Sequence, residues 1–170
     1  MRRSVLASTV ITAAVVAVGA VSAATTPQAE APSAATSKTL IFDVVFSPFT
    51  LIAANNVRNP HSPVALGDEV IFHDQLFSRG HHVGDDAGSC VVVALPQILN
   101  NCSAVFRVPG GNITAQFTAI PGPAPKDLAL TGGTGIYRSI GGDGTAVEFG
   151  NGTGRLTLHV LSLVPRGGGA

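Results

Sequence analysis

Two aspartates stand where chemistry could happen. Asp43 and Asp74 each interrupt an apolar, strand-like run, Thr39 to Ser47 and Glu69 to Phe77 respectively. A carboxylate that faces an apolar interior has its pKa raised, because burial disfavours the charged form, and it can then give or take a proton near neutral pH. The same carboxylate facing solvent does nothing of the kind. Both faces of these segments are largely apolar, so alternation alone leaves either orientation open. A second group, His81-His82 with Asp85-Asp86, has metal-binding residue types, but neighbours on an extended segment point in opposite directions and make a poor chelate. For the same reason His73 and Asp74 form no dyad. His159 and Glu148 read as outward polar positions. No Gly-x-Ser-x-Gly elbow offers a hydrolase nucleophile. The expectation is therefore no metal, no cofactor, and proton transfer by Asp43 and Asp74.

The elements that must position these acids are strands. Alternation marks eight of them: 39–47, 69–77, 90–95, 102–108, 112–119, 127–131, 145–149 and 155–163. Leu51 to Pro63, with Asn55-Asn56, Asn59-Pro60 and Ser62-Pro63, reads as a loop, and so does the polar stretch Arg79 to Gly88. Pro109-Gly110-Gly111 reads as a tight turn. No segment beyond the first residues sustains a helical period. Eight strands with short turns predict an all-β chain, a closed eight-stranded antiparallel β-barrel, with a two-sheet sandwich as the other solution. Closure removes sheet edges that an apolar chain would otherwise expose to its own copies. An eight-stranded barrel encloses room for side chains or for one small ligand. Phe42, Phe72, Gln116 and Tyr137 are the expected lining. The two-sided apolarity of the strands also leaves an outer surface suited to a homo-oligomer.

Cys90 and Cys102 are the only cysteines. They sit on neighbouring strands of a hairpin that turns near Leu95-Pro96-Gln97, and in an exported chain an even count reads as a disulfide. Closing so short a loop contributes about 3 kcal/mol in the chain-entropy view. A redox pair would need a Cys-x-x-Cys spacing that is missing. Export itself is read from the start of the chain. Met1-Arg2-Arg3 is basic, Val5 to Val21 is apolar, and Val21-Ser22-Ala23 is a small-residue cleavage site, which makes residues 1–23 a signal peptide. Residues 24–38 are then a Pro/Ala/Ser/Thr-rich linker, 39–164 the barrel domain and 165–170 a flexible tail. After cleavage no membrane contact is expected, and the protein is secreted.

The whole chain carries ten Lys and Arg against ten Asp and Glu. Losing Arg2 and Arg3 leaves eight basic residues against the same ten acids, without a basic run. A nucleic-acid surface needs clustered positive charge, so that partner is excluded. With no Trp and one Tyr, aromatic stacking platforms are scarce.

The stretch Leu130-Thr131-Gly132-Gly133-Thr134-Gly135-Ile136-Tyr137-Arg138-Ser139-Ile140-Gly141-Gly142-Asp143-Gly144 is the densest in glycine and reads as a hairpin corner anchored by Tyr137. It lacks the third glycine and the following helix that phosphate binding requires. It resembles the Gly-Gly-x-Gly-Ile-aromatic signature of allene oxide cyclases and the Gly-Gly-Thr-Gly signature of dirigent proteins. Two further blocks are similar in the same order. Leu66-Gly67-Asp68 to Phe77, followed by Gly88-Ser89-Cys90, resembles the cyclase Leu-Gly-Asp strand, with Asp74 at its pocket Asn. Gly111-Asn112-Ile113-Thr114-Ala115-Gln116 resembles its Gly-His-x-Ser-x-Gln strand. Val45 and Ala119 stand where the cyclases carry a pocket Asn and Tyr, and Ile136 and Gly141 where dirigent proteins carry Asp and Arg. The resemblance implies an eight-stranded barrel with an apolar lumen, often oligomeric. The activities it implies are cyclisation of a fatty-acid allene oxide or steering of phenoxy-radical coupling.

The function expected from all of this is a secreted barrel that holds an apolar small molecule and guides a cyclisation or stereoselective coupling, a cofactor-independent cyclase or isomerase. Fixing one conformer of the guest would lower the entropy cost of ring closure. The alternative is a non-catalytic secreted binding or surface protein on the same barrel.

Overall fold

The computed structural model of the protein describes residues 35–54 and 63–163. The expected signal peptide, most of the linker and the tail lie outside them. The described residues belong to one compact unit, Pro32–Ala170. They form nine strands: β1 (Ala35–Val45), β2 (Thr50–Ile52), β3 (Glu69–Ser78), β4 (His81–Ala94), β5 (Leu99–Val108), β6 (Gly111–Ala119), β7 (Lys126–Gly133), β8 (Ile140–Glu148) and β9 (Thr153–Leu163). The sheet runs β1-β9-β8-β7-β6-β5-β4-β3-β2, and pairing of β1 with β3 closes it. The result is a closed eight-stranded antiparallel β-barrel with β2 as an extra strand.

Period-two alternation decides which side chains enter the barrel. On β5, Asn100, Cys102, Ala104, Phe106 and Val108 are buried and the residues between them are exposed. The same rule delivers Phe42 and Val44, Leu76, Ile113, Leu128 and Leu130, and Leu156, Leu158 and Val160 to the interior. Each such burial stabilises by about 1.5–3 kcal/mol relative to exposure. Inward glycines make room for rings. A Cβ on Gly88 would lie 2.4 Å from the Phe72 ring and 2.3 Å from the Ser103 carbonyl oxygen, so Phe72 occupies space that only glycine leaves open.

Several element boundaries differ from the alternation, among them that of β8, which begins at Ile140 within the glycine-rich stretch and not at Thr145. The polar stretch after Arg79 is strand, not loop. Arg79 and Gly80 have φ of 52° and 78°, a two-residue turn that lets β4 begin at His81. Its polar residues hid a strand of fourteen. β1 starts at Ala35, because β9 extends to Leu163 and offers partners that far. The stretch around Leu51 contains β2, which pairs Thr50 with Ile71 and Ile52 with Glu69.

β1 and β2 run along the same edge of β3. Val45 faces Gln75 and Thr50 faces Ile71, so the four residues 46–49 oppose the three residues 72–74. The mismatch is a bulge. Pro48 falls inside it, where its missing N–H costs no ladder bond.

One end of the barrel is closed by the glycine-rich corner. Gly135–Tyr137 form a 3₁₀ turn instead of a plain hairpin reversal. Ile136 N–H donates to the Gly110 carbonyl, Thr134 N–H to that of Asn112, and Tyr137 Oη–H to that of Pro109. Gly135 has φ of 62°, and a Cβ there would lie 2.1 Å from the Gly110 oxygen. Glycine lets the corner lie directly on the β5–β6 turn, and Tyr137 is buried beneath it.

Candidate active site

The β1–β2 bulge leaves backbone groups without ladder partners, and two inward carboxylates fill the gap. Asp74 on β3 and Asp86 on β4 are directly opposite each other in the ladder. They are only 5% and 6% exposed. Asp74 Oδ1 accepts a 2.8 Å hydrogen bond from Ser47 N–H, and Asp86 Oδ1 accepts one of 3.2 Å from Asp74 N–H. Each carboxylate therefore commits one oxygen to backbone. Neither carboxylate belongs to an ion pair among the described residues.

Two acids so placed cannot both ionise at low cost. Burial, followed by the neighbouring Asp74 charge, pushes Asp86 up to about 7. Burial also raises Asp74, against the opposing effect of the Ser47 N–H. The pair titrates as a unit that holds a proton near neutral pH. The resulting arrangement can donate a proton to a guest or accept one from it.

Lys126 and Glu148 add to the inward polar set, which also includes Asn100 on β5. Lys126 pairs in register with Ala146, and Glu148 with Gly154, so both occupy inward positions at the ends of β7 and β8. Their ion pair is 2.9 Å, and the Lys126 side chain is only 10% exposed. Lys126 Nζ also donates to the Gly122 carbonyl at 2.7 Å and that of Ala124 at 3.3 Å, tying down the Pro/Gly loop before β7. Glu148 is close enough to Asp74 to raise its pKa further. Glu148 thus occupies an inward register position, not the outward one its strand suggested.

Of the expected site residues, Asp74 lies inside and Asp43 does not. Asp43 is on the outer wall, where its side chain is 56% exposed and pairs with Arg155 at 3.0 Å. The reason is parity: Phe42 and Val44 take the inward positions of β1, which sends the residue between them out. Asp43 and Asp74 are therefore on opposite faces of the wall. Gln116 also points outward and helps line a shallow outer groove of about 330 Å³ together with Ser89, Ser103, Thr114 and Thr131. Phe42 is buried in the core, and Phe72 packs against it. Tyr137 belongs to the closed end. Cys90 and Cys102 form the disulfide, directly opposite each other on β4 and β5.

Asp86 is not legible as an interior residue from the sequence, because its polar neighbours have the pattern of a loop. Once His81–Ala94 is a strand, alternation separates Asp86, inside, from Asp85, whose partner is Arg107 on the outer wall. His73 joins Arg107 and Asp85 there. His159 pairs with Asp143 at 2.7 Å, also outside. No group of three or more His, Cys, Asp or Glu is arranged to hold a metal ion among the described residues. No helix among them is long and apolar enough to cross a membrane.

No protein-family model matches the sequence. No curated protein sequence matches it either. Solved structures do share its barrel. A pyocyanin demethylase has a TM-score of 0.63 and 26% identity, covering 72% of this chain and 99% of that one. A pterocarpan synthase dirigent protein has a TM-score of 0.58 and 17% identity, covering 82% and 96%. An exo-specific intermolecular Diels-Alderase has a TM-score of 0.56 and 13% identity, covering 76% and 99%. The fold is thus that of dirigent proteins and Diels-Alderases, in keeping with the dirigent-like Gly-Gly-Thr-Gly stretch.

Proposed function

We propose that the barrel binds a small, largely apolar organic molecule beside Asp74 and Asp86 and guides a cyclisation or stereoselective coupling of it. The observation that carries this reading is the pair of buried aspartates facing each other in an apolar interior, where burial and mutual repulsion favour a held proton. The surrounding Phe, Leu and Val side chains would hold the guest in one conformer, and the pair would polarise or protonate one of its heteroatoms. The dirigent and Diels-Alderase neighbours support bond formation under conformational control as the type of task. Asp74 keeps the role expected of it, and Asp86 takes the place of Asp43. The protein acts outside the cell after removal of residues 1–23, where Cys90–Cys102 persists. Exposed apolar outer positions such as Ile41 and Ile71 are where copies of the chain would meet.

The test is mass spectrometry of small molecules that co-purify with the exported protein, followed by assay of the compound found. Asp74→Asn and Asp86→Asn should reduce turnover or scramble the product ratio, while Asp43→Asn should change neither. Unchanged products in both interior variants would refute the catalytic role and leave a carrier. A second reading, demethylation of a small organic guest, is favoured by the demethylase likeness at 26% identity. It expects a product in which hydrogen replaces one methyl group of the guest, a net loss of CH2, with the methyl carbon released as a separate one-carbon product.

A further inference from the structure

Consider the charge enclosed with the Asp74–Asp86 pair. Asp74 Oδ1 and Asp86 Oδ1 each accept from backbone. The second oxygen of each carboxylate has no hydrogen bond among the described residues, although both residues are more than nine-tenths buried. Among the described residues, no buried side-chain nitrogen or oxygen is sealed away without a partner. These two oxygens are therefore not walled in, and each remains free to accept from a bound molecule.

A buried carboxylate is ordinarily matched by a cation, because an unpaired charge in a low-dielectric interior is costly. Among the described residues none forms an ion pair with either aspartate. Lys126, on β7, directs its ammonium group to Glu148 and two carbonyls. On the outer wall, Arg107 and His73 serve Asp85, and Arg155 serves Asp43. Glu148, on β8, brings more negative charge toward Asp74. β5 faces Asp86 with Phe106, and the segment after β1 faces Asp74 with the Ser47 backbone, neither of them charged. With Lys126 and Glu148 cancelling, the interior retains the net charge of the aspartate pair.

We infer that the guest itself supplies the missing counter-charge: the interior site selects an apolar organic cation, held by the free oxygens of Asp74 and Asp86, over a neutral molecule of the same shape. This rests on the proposed interior binding site and names the class of its ligand. A bound cation favours the ionised pair, so binding releases a proton at pH values where the pair still holds one.

The probes are N-methylquinolinium and 1-methylnaphthalene, which have nearly the same shape and differ by one charge. Calorimetric titration of each into the full mature protein, repeated in two buffers of different ionisation enthalpy, yields affinity and protons exchanged. The expected result is a preference for the cation of at least about tenfold at about pH 8, since a pair of opposite charges in partial burial is worth more than that factor. Cation affinity should rise with pH through the titration of Asp86, and proton release should accompany binding below that range. Asp86→Asn retains an oxygen to accept the Asp74 N–H, so it should fold. It should weaken the preference and diminish the proton release, since Asp74 alone then faces the cation. Equal binding of both probes overturns the cation preference and keeps the interior site. Binding of neither overturns the interior site as well. Undiminished cation binding and proton release in Asp86→Asn would place the cation elsewhere and also refute the inference.

Discussion

Asp86→Asn is also the sharpest test of how the barrel tolerates its own acid pair. In the folded protein the Asp86 carboxyl is pushed from 3.8 to about 7. Between those values the folded state holds a proton that the unfolded state has lost. Stability therefore falls as pH rises across this window, and the fall ends above the folded value. One pKa unit corresponds to about 1.4 kcal/mol, so the whole displacement corresponds to about 4 kcal/mol, of which about 3 kcal/mol falls between about pH 5 and pH 8. Asp86 is 6% exposed, so solvent does little to screen the effect. Asn at the same position keeps the acceptor for Asp74 N–H and cannot ionise. Relative to wild type, the variant should gain about 3 kcal/mol in stability between about pH 5 and pH 8. Urea unfolding followed by far-ultraviolet circular dichroism at both pH values measures it, a suitable probe for a chain without Trp. A difference between variant and wild type that is the same at both pH values would refute the reasoning, since it would mean that Asp86 is ionised in the folded protein throughout. Asp68 does not compete within this window. Backbone N–H groups of Ala65 and Ala54 hold its carboxyl below the usual range, so its contribution is lost only at still lower pH.

Other substitutions test other parts of the molecule. Gly88→Ala should destabilise by about 2 kcal/mol or more, because the new methyl meets both the Phe72 ring and the Ser103 carbonyl; thermal unfolding reads it. Tyr137→Phe removes only the hydrogen bond to the Pro109 carbonyl and should cost about 1 kcal/mol in a urea titration. Asp43→Asn breaks an exposed pair with Arg155 and should change stability by less than about 1 kcal/mol, with no effect on ligand affinity. Replacing both Cys90 and Cys102 by Ser should lower stability by about 3 kcal/mol, because the loop they close spans only 12 residues.

Much of this molecule is written in its local sequence. Alternation in 102–108, 112–119 and 155–163 is enough to define strands, since a side chain on a pleated backbone has only two directions to point. Pro109-Gly110 marks its turn through backbone preferences that need no distant partner. Cys90 and Cys102 announce their pairing through spacing across a hairpin. What local sequence could not supply is the identity of the inside. Asp43 and Asp74 sit in segments apolar on both faces, and nothing near either says which face is enclosed. That is decided by register between strands far apart in the chain, Val45 against Gln75 and Asp74 against Asp86. A change of one residue in register exchanges the two faces of a whole strand.

Asp86 shows the same limit more clearly. Its neighbours are two histidines, an aspartate and two glycines, so its local pattern is that of a loop. It becomes an interior residue because β3 and β5 flank β4 and claim its backbone hydrogen bonds. Its raised pKa follows from burial and from Asp74, a neighbour twelve residues away. The chain by itself determined most of the strands, the Pro109-Gly110 turn and the disulfide, because each depends on bonds and preferences a few residues long. Closure of the sheet alone decided which carboxylates share the interior, because burial is a property of the whole barrel.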